Sequence, residues 1–183
     1  STLRHTLFPY TTLFRSPFIE KKQNSSREHY KETGRCLFCD VLAEEKEDGR
    51  RIIAENESFA AFIPFFARYS YEVNIFAKNH TASLQDFSEK EEKELAEILK
   101  IVLMKYDNLF DFVFPYIMSI YQQPTTESDD GEYSHFHIEF YPPYRTAEKL
   151  KYLAGSEAGA GTFINGSIAE EKAAELRDLE PQL

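Results

Sequence analysis

Tryptophan is absent from this chain of 183 residues, and cysteine occurs only twice, both times within one Cys-x-x-Cys at Cys36 and Cys39. Two cysteines cannot build a disulfide framework, and this spacing points to metal or redox chemistry before a structural bridge. Long apolar runs are also missing, which excludes a helical membrane span of ordinary length, and no apolar leader of the secretory type opens the chain. The expectation is therefore a cytoplasmic protein. Basic residues are in deficit, 21 against 31 acidic ones, for a formal net charge of −10. A phosphate polymer needs a basic surface, so free nucleic acid is excluded as the main partner, although a few local groups can still hold a small phosphorylated molecule. What the chain has in quantity is aromatic: 16 Phe and 11 Tyr, a content that suits packed sheet faces. Its length suits one domain with a core able to fold without disulfides.

Residues 134–143, Ser-His-Phe-His-Ile-Glu-Phe-Tyr-Pro-Pro, are the centre of the reading. As a strand, this stretch puts His135, His137 and Glu139 on one face and Phe136, Ile138 and Phe140 on the other. Three ligand-type groups then share a side, backed by apolar ones.

Residues 1–16 have neither amphipathic period nor cap, and they resemble an in-frame translation of a sequencing-adapter oligonucleotide; they are expected to be an assembly artefact, with genuine sequence starting near Pro17. Residues 17–35 are polar and predict a linker with a short helix over 27–33 ending at Gly34. The remainder, 36–183, forms the domain. Apolar runs at 51–54 and 59–63 predict a hairpin, and 71–77 a third strand that delivers Lys78-Asn79-His80 at its end. Ser88 and Glu91 form a capping box, and Leu95, Ile98, Leu99, Val102 and Tyr106 recur at helical spacing, predicting a helix of roughly five turns. Residues 114–121 predict a strand, 125–131 an acidic loop, 146–153 a short helix, 155–166 a Gly-rich segment and 168–179 a final amphipathic helix. The sum is an α+β fold: an antiparallel sheet of about five strands, one long helix and smaller C-terminal helices.

Cys36, Cys39, His80 and His137 are the predicted metal ligands. Zinc prefers thiolate and imidazole, and a Cys-x-x-Cys knuckle supplies two ligands at a suitable bite. His135 is the ambiguous member, either facing the same pocket or partly solvated at the strand's start. A redox dithiol is the competing reading of the cysteines, but such pairs usually introduce a helix in a parallel setting, and the pattern here is antiparallel.

The succession Cys-x-Phe-Cys, Lys-x-His, a capped helix ending Lys-Tyr-Asp-Asn-Leu-Phe, then Phe-Pro-Tyr-x-Met and Phe-His-Ile-Glu-Phe-Tyr-Pro-Pro resembles the C-terminal half of galactose-1-phosphate uridylyltransferases, from Pro17 to about Leu179. That family belongs to the histidine-triad superfamily, each enzyme holding two histidine-triad-like halves. The resemblance implies a histidine-triad-like fold, transfer of UMP between UDP-glucose and galactose 1-phosphate, a homodimer, and zinc, or iron in its place. In the catalytic half, a His-Pro-His motif supplies the nucleophile that becomes uridylylated. This chain has no His-Pro-His. In the register adopted here, His137 matches the metal-binding histidine of that motif and Glu139 stands at the nucleophile's position, so no catalytic residue is expected, and Glu139 remains a metal or pocket group. The resemblance further implies that Lys151, Tyr152, Leu153, Ala154, Ser156 and Glu157 reach toward a partner subunit's substrate. From the residues alone, Lys151 is a solvated lysine and Glu157 a cap. Two other readings compete: a free-standing histidine-triad nucleotide hydrolase or phosphorylase using His135 or His137 in a shifted register, and a non-enzymatic zinc-stabilised interaction domain.

Overall fold

The computed structural model describes residues 17–110, 112–124 and 130–180. Its α-helices are α1 (Pro17–Thr33), α2 (Leu37–Asp48), α3 (Glu89–Asp107), α4 (Gly155–Ala160) and α5 (Ala169–Asp178). The strands are β1 (Ile52–Glu55), β2 (Phe59–Phe62), β3 (Val73–Ala77), β4 (Ile117–Tyr121), β5 (His137–Tyr141), β6 (Tyr144–Thr146) and β7 (Lys149–Leu150). β1 to β5 form one antiparallel five-stranded sheet in the order β1-β2-β3-β5-β4, and β6-β7 a separate hairpin.

The period of two along each strand divides the sheet into two buried faces. On one, Phe59, Ala61, Val73, Ile75, Ile138 and Phe140 join Ile98, Val102 and Tyr106 of α3 and Leu176 of α5 in the larger core. On the other, Ala60, Phe62 and Phe76 meet Leu42, Val41 and Phe38 of α2. The register pairs Phe76 with His137 and Asn74 with Glu139, so the polar face of β5 lies on this second, smaller side.

α3 begins where predicted: the Ser88 hydroxyl accepts from the Glu91 amide, and the Glu91 carboxylate accepts from the Ser88 amide. α2 starts at Cys36 and stops at Gly49, whose φ of 71° gives the left-handed turn and whose N–H reaches the Glu45 carbonyl.

Two segments differ from expectation. Residues 17–33 are one continuous helix, where a linker with a short helix was expected. Its inner side docks by polar contacts: Lys22 to Glu139, Ser26 Oγ to the Tyr133 carbonyl at 2.5 Å, His29 to Asp40 at 2.7 Å. A helix held this way carries no apolar period to detect. Residues 146–153, expected to be helical, instead enter the β6-β7 hairpin, because Pro143 returns its carbonyl to the Lys151 amide at 2.6 Å and Thr146 Oγ1 accepts the Glu148 amide across the turn. Residues 1–16 and most of the predicted acidic loop lie outside the described residues.

Candidate metal centre

Four side chains from three parts of the chain converge at one end of the sheet. Cys36 caps α2 and Cys39 lies in its first turn; His80 follows β3; His135 lies two residues before β5. One donor atom from each lies within 4.8 Å of every other. His135 Nδ1 is 3.5 Å from Cys39 Sγ and 3.8 Å from Cys36 Sγ, and His80 Nδ1 is 3.5 Å from Cys39 Sγ. In a tetrahedral zinc site, bonds of about 2.3 Å to sulfur and about 2.0 Å to nitrogen place the two donors about 3.5 Å apart, so the donors present fit that ion.

The imidazoles are oriented for this. His135 Nε2 is 2.9 Å from the Ala77 carbonyl, and His80 Nε2 is 2.9 Å from the Gly131 carbonyl. A carbonyl can only accept, so each Nε2 carries the proton and each Nδ1 presents its lone pair to the cluster, the usual support of a metal-binding histidine. The Cys36 sulfur, hydrogen-bonded by Cys39 and close to His135, is held far below the usual thiol range, at about 3, while the same hydrogen bond pushes Cys39 up. A thiolate is what a metal requires. Cys36 and His135 are buried, Cys39 is half-buried and His80 exposed, so the cluster has a dry side and a wet one.

The structure therefore brings together three of the four expected ligands and puts His135 in the fourth position in place of His137. The reason is strand geometry: β5 pairing begins at His137, opposite Phe76, and sets that ring against Phe38 of α2 with centroids 4.5 Å apart, whereas His135 lies ahead of the strand. The Phe136 amide donates to the Thr81 carbonyl at 2.7 Å and pins His135 beside the segment that bears His80.

His137 and Glu139 occupy a second, neighbouring cluster. His137 Nδ1 is 2.7 Å from the His135 carbonyl, its ring stacks on Tyr121 with centroids 4.8 Å apart, and Nε2 is 3.2 Å from Lys22 Nζ. Lys22 forms an ion pair with Glu139, which also accepts from Tyr141 and, at 3.3 Å, from Arg68. Burial would raise the Glu139 carboxyl, but His137 and Lys22 outweigh it and hold it well below the usual carboxylate range. Burial dominates for His137 and keeps it neutral, and burial likewise lowers Lys22 despite its partner. Lys22, Arg68, Tyr121 and Tyr141 were not singled out from the sequence; only Tyr141, two residues beyond Glu139 and in phase with the polar face of β5, left a trace of its role.

The remaining predicted residues lie near β7 and α4. Lys151 pairs with Glu157 at 2.8 Å, and Glu157 accepts the Ala154 and Ile164 amides, so both hold the loop together. Tyr152 and Leu153 are exposed, with Ala154 exposed and Ser156 partly so.

Residues 20–182 match the family model of the galactose-1-phosphate uridyl transferase C-terminal domain. The chain belongs to this family. It is 43% identical over 179 residues to the galactose-1-phosphate uridylyltransferase of Thermotoga maritima, covering 96% of this chain and 56% of that protein. A solved uridylyltransferase structure, 35% identical, superposes with a TM-score of 0.81 over 88% of this chain and 50% of that one. A hypothetical histidine triad nucleotide-binding protein from Sulfolobus tokodaii, 15% identical, covers 78% of this chain and 90% of its own with a TM-score of 0.54, and shares the histidine-triad fold. The chain thus spans about half the length of the uridylyltransferases it matches. Among the described residues, no helix is long and apolar enough to cross a membrane.

Proposed function

We propose that this chain is the metal-binding C-terminal half of a hexose-1-phosphate uridylyltransferase, an enzyme that moves UMP between UDP-glucose and galactose 1-phosphate in the cytoplasm as a homodimer. The observation that carries the metal reading is the convergence of Cys36, Cys39, His80 and His135 at zinc-like spacing. Two thiolates and two imidazoles favour zinc over iron in a closed, four-ligand site. Bound there, the ion supplies cross-linking of the α2 start to both strand ends rather than chemistry on a substrate.

The polar cluster beside it supports an inactive half. With His135 as the metal-side residue, the register shifts by two and His137, not Glu139, takes the place that the nucleophile has relative to a metal histidine. Its Nε2, however, faces the Lys22 ammonium within a closed set of ion pairs, and the ring is buried. An incoming phosphorus would have to displace α1 to reach it. The second reading, a histidine-triad nucleotide hydrolase or phosphorylase with His137 as nucleophile, is favoured by the bond from Nδ1 to the His135 carbonyl, which leaves Nε2 unprotonated.

Elemental analysis of the purified chain and its variants tests both. About one zinc per chain is expected, lost in His135→Ala and Cys36→Ser and retained in His137→Ala. Retention in His135→Ala, or loss in His137→Ala with the fold intact, would overturn the ligand assignment. Incubation with UDP-glucose followed by intact-mass measurement is expected to show no added UMP; a UMP adduct abolished by His137→Ala would establish the second reading instead.

A further inference from the structure

The four-residue cluster is sheltered unevenly. Cys36 and His135 are 6% and 2% exposed, whereas Cys39 is half-buried and His80 is open to solvent. The two sulfurs share one turn of chain: the Asp40 amide donates to the Cys36 carbonyl at 3.1 Å, the first bond of α2, and both sulfurs approach the same nitrogen, His135 Nδ1, at 3.8 Å and 3.5 Å. Phe38, between them in sequence, is wedged against Phe76 and His137 with ring centroids 5.7 Å and 4.5 Å apart, which fixes this turn on the sheet. Cysteines three positions apart at a helix start come within disulfide reach by side-chain rotation. α2 therefore gives the pair the helix that a redox dithiol has, within an antiparallel fold. The sequence holds no third cysteine to compete.

We propose that Cys39 and Cys36 are a redox-controlled release for the metal, in which a small hydroperoxide oxidises Cys39 first and Cys36 then closes a disulfide. This rests on the metal centre of the proposed function and gives its regulation. The order follows from exposure, since Cys39 meets solvent and Cys36 does not. With hydrogen peroxide, the Cys39 thiolate attacks one oxygen; the O–O bond breaks, hydroxide leaves and is protonated to water, and Cys39 carries a sulfenic acid. The Cys36 thiolate then attacks that sulfur; the S–S bond forms, the S–O bond breaks, and a second hydroxide leaves and takes a proton from solvent. Two electrons pass from the sulfur pair to the peroxide. His80 and His135 alone are too few to hold a structural zinc ion, so the site lets it go. The tie between the α2 start and the two strand ends goes with it, and a disulfide within one turn of α2 does not replace that tie. At a net charge of −10 and with Cys39 only half open, a small neutral oxidant is favoured over a bulky anionic disulfide.

Hydrogen peroxide added to the reduced, zinc-loaded chain tests this, read by a chromogenic zinc chelator and by intact mass against a sample without peroxide. The expected result is release of about one zinc per chain in step with the loss of two hydrogens from the mass, and recovery of both on adding dithiothreitol and zinc. With dimedone present during oxidation, peptide mapping is expected to find the adduct on Cys39 and not on Cys36. The unaltered chain serves for this, because a variant of either cysteine loses the metal. Zinc retained with the mass unchanged overturns the proposal and leaves the metal centre standing; no zinc bound before peroxide is added overturns the metal centre and the proposal with it. Dimedone on Cys36, a disulfide between two chains, or Cys39 carried on to sulfinic acid with Cys36 still reduced overturns the proposal alone.

Discussion

Arg51 shows how much of the packing depends on one side chain. Its guanidinium donates to Glu45 at 2.6 Å, Asp48 at 3.1 Å and Glu170 at 2.5 Å, tying the α2 end to the start of α5. Glu45 is fully buried, and burial raises its carboxyl against the pull of Arg51. Removing the arginine would leave a buried carboxylate with no cation, so Arg51→Ala is expected to cost about 3–5 kcal/mol in urea unfolding. Arg51→Ala with Glu45→Gln should recover part of that; equal losses in the two proteins would mean that the charge of Glu45 is not the cause. At this same scale the sequence was partly transparent. Cys36, Cys39 and His80 could be named because residue type and spacing carry chemistry. The choice between His135 and His137 could not be made, because alternation places both on one face and only the point where β5 pairing begins separates them. Lys22 left no signal at all: one lysine in a polar stretch looks the same whether it meets water or a buried glutamate.

At the scale of elements, legibility followed the kind of contact that fixes each one. α3 and the β1-β2 hairpin are held by periodic apolar burial and a capping box, and both were readable. α1 is held by side-chain bonds to residues far along the chain and the β6-β7 hairpin by local polar bonds with no apolar period, and of the two only the 27–33 part of α1 was. The 151–166 loop belongs to the second group, and its stability should respond to acid. Lys151, foremost, and the Ala154 and Ile164 amides hold the Glu157 carboxyl down to about 2, from an ordinary 4.5. A carboxyl depressed on folding contributes fully above its unfolded pKa and loses that contribution as pH falls through the folded one. Amide exchange by NMR should therefore find the loop protected at pH 4 and exposed as pH approaches 2, and Glu157→Gln should abolish that dependence. Loss of protection already between pH 5 and 4 would show that the Lys151 pair contributes nothing.

For the whole molecule, the sheet order brings together parts of the chain that lie far apart in sequence. The metal-type cluster joins the start of α2 to residues 41 and 96 positions away. α5 packs against β1, with Arg177 donating to the Arg50 and Ile52 carbonyls and Lys105 to those of Leu176, Arg177 and Leu179. None of this arrangement follows from local pattern, and the α+β class was legible only because the strands and the long helix were.

The seating of α5 on β1 has a kinetic side. The Arg51–Glu170 contact closes 119 positions of chain, a loop whose entropy must be lost before the contact returns anything. The β1-β2 hairpin can form from neighbours in sequence, whereas α5 has to find an already assembled strand. We therefore expect α5 to dock after the rate-limiting step. Glu170→Gln should then speed unfolding about in proportion to the stability it removes and leave the refolding rate nearly unchanged. During synthesis, β1 would emerge well before the helix that shields its flank, and it would wait in that interval with Arg51 and Glu45 still open to water.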